Sequence, residues 1–367
     1  MAAVTVKRLA VFLLCAFVFM KYIVPRLGQE ILSRCFGYIV SVIISYAIAV
    51  NVKEGKVQVS GKSVVITGCD TGIGNALARY LDKRGFRVFA GCLFERGEGA
   101  RRLKAECSGK LQVVQMDVTS DQQVAEVAQF VQSAVTVSGD VLWGVVNNAG
   151  IIKLGEIEWL PVESYRQVME VNLFGMIRVT KAFLPMIRRC KGRIVNMSSM
   201  QGLFSSAVSS PYSVSKFGVE AFSDALRHEV DKWGVQTVII EPGNFSAFTN
   251  AMEGDSITKM MDDVWSNTPD DIKEVYGLDY FKGVVKLLNT GTLSMSANTL
   301  KPVLTAIEDA LIDENPPDRF SPGNAHSKLL TWFFCYLPST VTDYLYKLSY
   351  ALSVDKAKGV TAAEPVA

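Results

Sequence analysis

"KSVVITGCDTGIGNALARYLDKRGFRVFAG", residues 62–91, is the stretch on which the fold turns. Its apolar run at 64–66 is short and β-branched, which reads as a buried strand. Thr67-Gly68-Cys69-Asp70-Thr71-Gly72-Ile73-Gly74 follows as a glycine-rich turn, then an amphipathic helix, then a second strand at "RVFAG". The rhythm continues along the chain. "LQVVQMDV" (111–118), "LWGVVNNAG" (142–150), "GRIVNMSS" (192–199) and "VQTVIIEPG" (235–243) read as strands, with helices over 121–136, 163–189 and 211–233. Strands alternating with helices give a parallel sheet covered on both faces, the α/β doubly wound architecture.

Composition limits what else the chain can be. Lys and Arg number 38 against 36 Asp and Glu, so no charge imbalance marks a nucleic-acid partner. Seven cysteines stand singly (Cys15, Cys35, Cys69, Cys92, Cys107, Cys190, Cys335), and the two histidines are His228 and His326. That pattern holds neither a disulfide framework nor a zinc site. Hydrophobic residues reach 49%, partly from two apolar segments. Residues 9–24 are interrupted by Lys21 and residues 31–52 by Arg34. Spanning a bilayer takes about 20 such residues, so a membrane anchor of one or two helices is expected. A cleaved signal is the alternative for the first segment, which lacks a small-residue cleavage site.

The expected organisation is therefore an anchor over 1–55, a nucleotide-binding domain over 56–322 and an aromatic C-terminal segment over 323–367 that ends in a flexible tail after Asp355. Within the middle domain the strand rhythm stops at about 244–290. That stretch is expected to form a helical lid over a substrate. Its Phe245, Phe248, Met252, Met260, Met261 and Trp265 favour a lipophilic ligand, with Lys259 as the first cation.

The turn at 67–74 sits where a helix N-terminus meets a parallel strand. Its glycines let the backbone approach a pyrophosphate, and the helix start supplies N–H groups and partial positive charge. An acidic residue ending the second strand selects NAD, and a basic one selects NADP. Counting along "RVFAG" puts Gly91 at that position, and Asp70 in the turn repels an added phosphate. NAD is the expected cofactor, with NADP left open. Asp117 is placed to receive the adenine amino group or to cap the next loop.

Taken in order, "TGCDTGIG", "NNAG" (147–150), Asn172, Ser198-Ser199, "YSVSK" (212–216) and "EPG" (241–243) resemble the short-chain dehydrogenase/reductase family over residues 61 to about 245. Within it they look like the branch of 3-hydroxybutyrate, 17β-hydroxysteroid and membrane-bound retinol dehydrogenases. The resemblance implies a Rossmann-like fold and hydride transfer at a CH–OH carbon. It assigns Tyr212 as general acid/base, Lys216 as the group that lowers its pKa, Ser199 as a hydrogen bond to the reacting oxygen, and Asn172 as the holder of a relay water. Gly68, Asp70, Thr71, Gly72, Ile73, Gly74, Asp117, Asn148, Gly150, Pro242 and Gly243 fall to the cofactor, beside Tyr212 and Lys216. One departure stands out, for Ala247 occupies the place where many members carry a threonine. The activity expected is oxidation or reduction of a lipophilic secondary alcohol, a steroid or a retinoid. A 3-hydroxybutyrate-type hydroxy acid is the first alternative and a nucleotide-binding scaffold without turnover the second. The expected setting is the endoplasmic reticulum membrane, with a mitochondrial membrane as alternative and homo-oligomers left open.

Overall fold

The computed structural model describes residues 11, 14–23, 31–50, 55–249, 255–294, 296–351, 354 and 357–362. The chain divides into two compact units, residues 1–58 with 312–316 and residues 59–311 with 317–367.

In the first unit a π-helical turn Phe19–Ile23 precedes helix α1 (Ile31–Val50). Phe36, Ile39, Ile43 and Tyr46 on α1 are exposed. Parts of both expected anchor segments, including residues 9–10, 24 and 51–52, lie outside the described residues. Among the described residues no helix is long and apolar enough to cross a membrane.

In the second unit the strands are β1 (Lys62–Ile66), β2 (Arg87–Cys92), β3 (Leu111–Gln115), β4 (Val141–Asn147), β5 (Arg193–Met197), β6 (Gln236–Ile240) and β7 (Arg319–Phe320). They form one seven-stranded sheet in the order β3-β2-β1-β4-β5-β6-β7. Every pairing in it is parallel. Val64, Val65 and Ile66 of β1 and all five residues of β5 are buried, so neither strand shows the alternation of a half-exposed one. Chain order reverses direction between β1 and β4. In such sheets ligands bind at the carboxyl ends of the strands at this switch point.

Helices α2 (Gly72–Lys83), α3 (Glu98–Glu106) and α4 (Asp121–Ser138) follow the first three strands. Ser120 caps α4 by accepting from Gln123 N at 3.2 Å, and Gly139 ends it at φ 72°. Val124, Val127, Val131 and Val135 of α4 recur at helical spacing and are buried. The long helix expected over 163–189 is three pieces, α5 (Val162–Met169), a π-helical turn Glu170–Gly175 and α6 (Met176–Cys190). Helix α7 (Ser210–Val230) starts with Pro211 in its first turn, where a missing N–H costs nothing.

The lid region is three helices, α8 (Ser256–Asn267), α9 (Asp270–Tyr276) and α10 (Leu278–Ser294). Several of the apolar side chains expected to favour a lipophilic ligand pack against one another here. Met261 is fully buried, and Met260 and Trp265 pack with it against Trp159 and Phe281 in a core of their own. Trp265 stacks on Phe281 at 4.7 Å and meets Trp159 edge-on at 5.3 Å. Phe245 is buried as well, and Met252 lies outside the described residues. The apolar side chains hold these three helices together because isolated short helices need a packed face.

Helix α11 (Lys301–Ile312) precedes β7, and α12 (Ala325–Tyr336), α13 (Ser339–Ala351) and α14 (Lys358–Ala362) complete the chain. The last of these replaces part of the expected tail. Gly277 has the side chain of Lys358 against it, and residues 363–367 lie outside the described residues.

Candidate active site

The turn at 67–74 leaves β1 and enters α2 at the switch point. Thr67 N bonds to Val146 O of β4 at 3.1 Å, and Thr67 Oγ1 accepts from the N–H groups of Asn148 and Ala149, both at 3.0 Å. Asn148 Nδ2 returns to Thr67 O at 2.8 Å and Gly68 O at 3.2 Å. Gly68 at φ 70° and Gly72 at φ 61° occupy the left-handed region. A Cβ on Gly74 would meet Gly68 O at 2.2 Å and Asn148 Nδ2 at 2.5 Å. The side chain of Thr71 caps no N–H of α2, so the first-turn donors remain for an anion.

Asp70 is engaged elsewhere. Its Oδ2 accepts from Leu93 N at 2.8 Å and its Oδ1 from Phe94 N at 2.9 Å, which ties the turn to the chain leaving β2. Gly91 is inside β2, and the strand ends on Cys92 instead. Burial pushes the Cys92 thiol up to about 12, so a neutral group stands there. Asp117 Oδ1 accepts from Thr119 N at 2.9 Å and Thr119 Oγ1 at 2.8 Å, the loop-capping role. Pro242 O accepts from Met200 N at 3.0 Å, and Gly243 packs on Ser327 so closely that a Cβ there would lie 2.6 Å from its Cβ.

At the ends of β5 and on α7 the second group assembles. Ser199 opens a short turn after β5, where its hydroxyl accepts from Gln201 N at 3.2 Å and lies near enough to the Tyr212 phenol to affect its pKa. Lys216, one helical turn beyond Tyr212, lies with Nζ 5.5 Å from the centre of that ring and donates to Met197 O at 2.8 Å. Burial raises the Tyr212 phenol above its ordinary value while the nearby Ser199 hydroxyl lowers it. Burial also pulls Lys216 down to about 8, and the charge of Glu220 opposes that fall. A phenol, a hydroxyl and an ammonium so placed can pass a proton to or from an oxygen.

Asn172 sits within the π-helical turn, where the extra residue turns its side chain inward, 2% exposed. Its Nδ2 donates to Ile151 O at 2.9 Å and Ser215 Oγ at 3.0 Å, and its Oδ1 accepts from Ile151 N at 2.7 Å. Ser215 Oγ in turn donates to Tyr212 O at 2.7 Å. The side chain expected to hold a water is thus a brace between the "NNAG" loop and α7. Gly150 lies against it, and a Cβ there would be 3.3 Å from Asn172 Oδ1.

The sequence profile of the short chain dehydrogenase family matches residues 62–257, the span that carries both groups. The chain belongs to that family. It is 41% identical over 291 residues to the D-beta-hydroxybutyrate dehydrogenase, mitochondrial, of Bos taurus, covering 78% of this chain and 84% of that protein. It is 42% identical over 291 residues to the 17-beta-hydroxysteroid dehydrogenase type 6 of Homo sapiens, covering 79% and 89%. Among solved structures, a short-chain dehydrogenase from Streptomyces avermitilis superposes with a TM-score of 0.62 at 26% identity, covering 81% of this chain and all of that one. The chain is accordingly an NAD(P)-dependent short-chain alcohol dehydrogenase acting on CH–OH groups.

Several contacts of this dehydrogenase's site escaped the sequence. Thr67 organises the cradle through one hydroxyl. Gly99 opens α3 so close to the turn that a Cβ would lie 1.7 Å from Asp70 O. Phe248 O lies 3.3 Å from where a Cβ of Gly72 would be, so the residues after "EPG" cover the cradle. Ala247, in place of the family's threonine, donates its N–H to Ser296 Oγ at 3.1 Å. No periodic pattern announces any of these, because each is a contact between loops.

Proposed function

We propose that this dehydrogenase transfers a hydride between NAD(H) and a secondary alcohol or ketone, using Tyr212 as the proton-transfer group. One observation carries the reading, Lys216 Nζ 5.5 Å from the centre of the Tyr212 ring with Ser199 at the end of the neighbouring strand β5. The uncapped start of α2 and the left-handed Gly68 and Gly72 fit a dinucleotide phosphate. Residues 68 and 70–74, with Asp117, Asn148, Gly150, Pro242, Gly243, Tyr212 and Lys216, would hold NAD, which supplies the hydride acceptor. Asp70 disfavours the added phosphate of NADP, and Arg96 pairs with Glu95 at 3.8 Å.

The chain's own groups handle the proton. Ser199 orients the substrate oxygen toward Tyr212, which removes its proton in oxidation and returns it in reduction. Lys216, as ammonium, favours the phenolate against the burial that opposes it. Asn172 keeps Ile151 and Ser215 in place and so fixes the height of Tyr212 in the site. Steady-state turnover with Tyr212→Phe tests the assignment, and an unchanged rate overturns it.

The substrate we infer is a lipophilic alcohol of the steroid or retinoid class, reached at a membrane. Support comes from the apolar run at 31–52 and from the exposed Phe36, Ile39, Ile43 and Tyr46 of α1, which suit lipid contact. The membrane of the endoplasmic reticulum is the setting this favours, and a mitochondrial membrane is the alternative. A second reading, a short hydroxy acid, is favoured by Lys153. This half-buried cation stands in the loop between Ile151, held by Asn172, and Gly155, whose N–H donates to Val208 O at 2.8 Å. Kinetics with NAD on estradiol, a retinol and 3-hydroxybutyrate separate the two. Saturation by the hydroxy acid alone selects the second, and oxidation of none of them overturns both.

A further inference from the structure

Tyr212, Lys216 and Glu220 recur every fourth residue of α7 and share one helical face. Tyr212 and Lys216 belong to the proposed chemistry, and Glu220 has had no part in it. Glu220 is 7% exposed, and Glu241, just past the end of β6, is 3% exposed. Burying two carboxylates this close is unfavourable unless cations and donors answer them. Arg319 of β7 answers both. Its guanidinium lies 3.4 Å from Glu220 Oε2, 3.2 Å from Glu241 Oε1 and 2.7 Å from Asp224 Oδ2. Ser321 Oγ donates to Glu241 Oε2 at 2.6 Å. Glu220 Oε1 is buried with no hydrogen-bond partner among the described residues.

One guanidinium therefore serves three carboxylates, and the cluster keeps surplus negative charge. The neighbouring cation on the same helical face is Lys216, whose Nζ donates to an uncharged carbonyl, Met197 O. We propose that Glu220 is a positioning residue for the proton chemistry: its carboxylate, clamped by Arg319, keeps the buried Lys216 an ammonium, and Lys216 in turn makes Tyr212 more acidic. The inference rests on the roles proposed for Tyr212 and Lys216 and deepens them.

The remaining charges around α7 leave this arrangement in place. Arg227 is taken by Asp224 at 3.1 Å and by Asp318 at 3.4 Å. From α5, Tyr165 bonds Ser210 Oγ at 2.6 Å, and in the π-helical turn Glu170 pairs with Arg178 at 2.9 Å. Cys335 of α12 feels the charge of Glu241. Burial pushes Glu220 up to about 7, with the Ser198 hydroxyl and then Arg319 opposing and Glu241 adding. Lys216 stands at about 8. The charge of Glu220 favours the ammonium form of Lys216 against the burial that opposes it.

The test is a titration of Lys216 itself. Full-length protein labelled with [13Cε]lysine is followed by NMR in detergent without cofactor, and the Lys216 signal is assigned by its loss in Lys216→Arg. Glu220→Gln is expected to lower the ammonium pKa by about one pH unit, a tenfold change in its protonation constant. The alkaline limb of the kcat/KM profile should move the same way. Arg319→Met, which leaves Glu220 more easily protonated, shifts Lys216 in the same direction, and Glu220→Asp restores part of the loss. A Lys216 titration unmoved in both Glu220→Gln and Arg319→Met overturns the inference. Because this readout needs no turnover, it stays distinct from the Tyr212→Phe result. An active Tyr212→Phe sinks the proposed mechanism whether or not Lys216 responds to Glu220.

Discussion

A single hydroxyl separates Tyr212 from phenylalanine, and the proposed mechanism rests on it. General acid–base groups contribute about 10²–10⁴-fold to rate, so Tyr212→Phe should lower kcat by that order with the fold retained. Circular dichroism and cofactor binding check the fold. A second prediction concerns stability. Glu220 stands at about 7 in the folded chain, above the ordinary carboxylate range near about 4.3. Between those values the folded state holds more protons than the unfolded one, so this group's contribution to stability falls as pH rises through that window. Glu220→Gln should therefore melt closer to wild type at pH 4.5 and gain on it at pH 8. Thermal scans at both pH values read the difference, and a variant that loses most at pH 8 contradicts it.

Among the elements, the π-helical turn Glu170–Gly175 has the clearest test. Asn172→Ala removes two donors and one acceptor that join Ile151 to Ser215. A larger fall in kcat than any rise in KM is expected, since the loss acts on the placement of Tyr212; a change confined to KM would contradict the bracing role. In helix α6, which follows that turn, Phe183 is fully buried, and Phe183→Ala should cost about 3–5 kcal/mol in denaturant unfolding. These elements also show what a sequence reveals. The cradle and the Tyr212–Lys216 pair were readable because their residues stand within one or two turns of each other. The π-helical turn was not, since the apolar spacing of 163–189 runs through it without a break. The packing within residues 256–294 was not readable for a different reason, because composition cannot tell whether Trp265 faces a ligand or another ring. Arg319 was out of reach, for 99 residues separate it from Glu220 and no local period links them.

For the molecule as a whole, the parallel sheet gathers the cradle of β1, the "NNAG" turn of β4 and Ser199 of β5 at the carboxyl ends of neighbouring strands. Chemistry drawn from residues far apart in sequence becomes one site by topology alone. The proposed membrane setting is tested at this scale as well. Full-length protein expressed in eukaryotic cells should sediment with membranes after an alkaline carbonate wash, and recovery in the supernatant would refute anchoring. The short strand β7 carries a last consequence, for biogenesis. A ribosome completes the helix bearing Tyr212 and Lys216 well before it translates Arg319. A newborn chain thus holds its whole proton-handling pair before the counter-charge behind it is made, and a stop codon just short of that arginine would also delete the last strand of the sheet and Ser327, against which Gly243 packs.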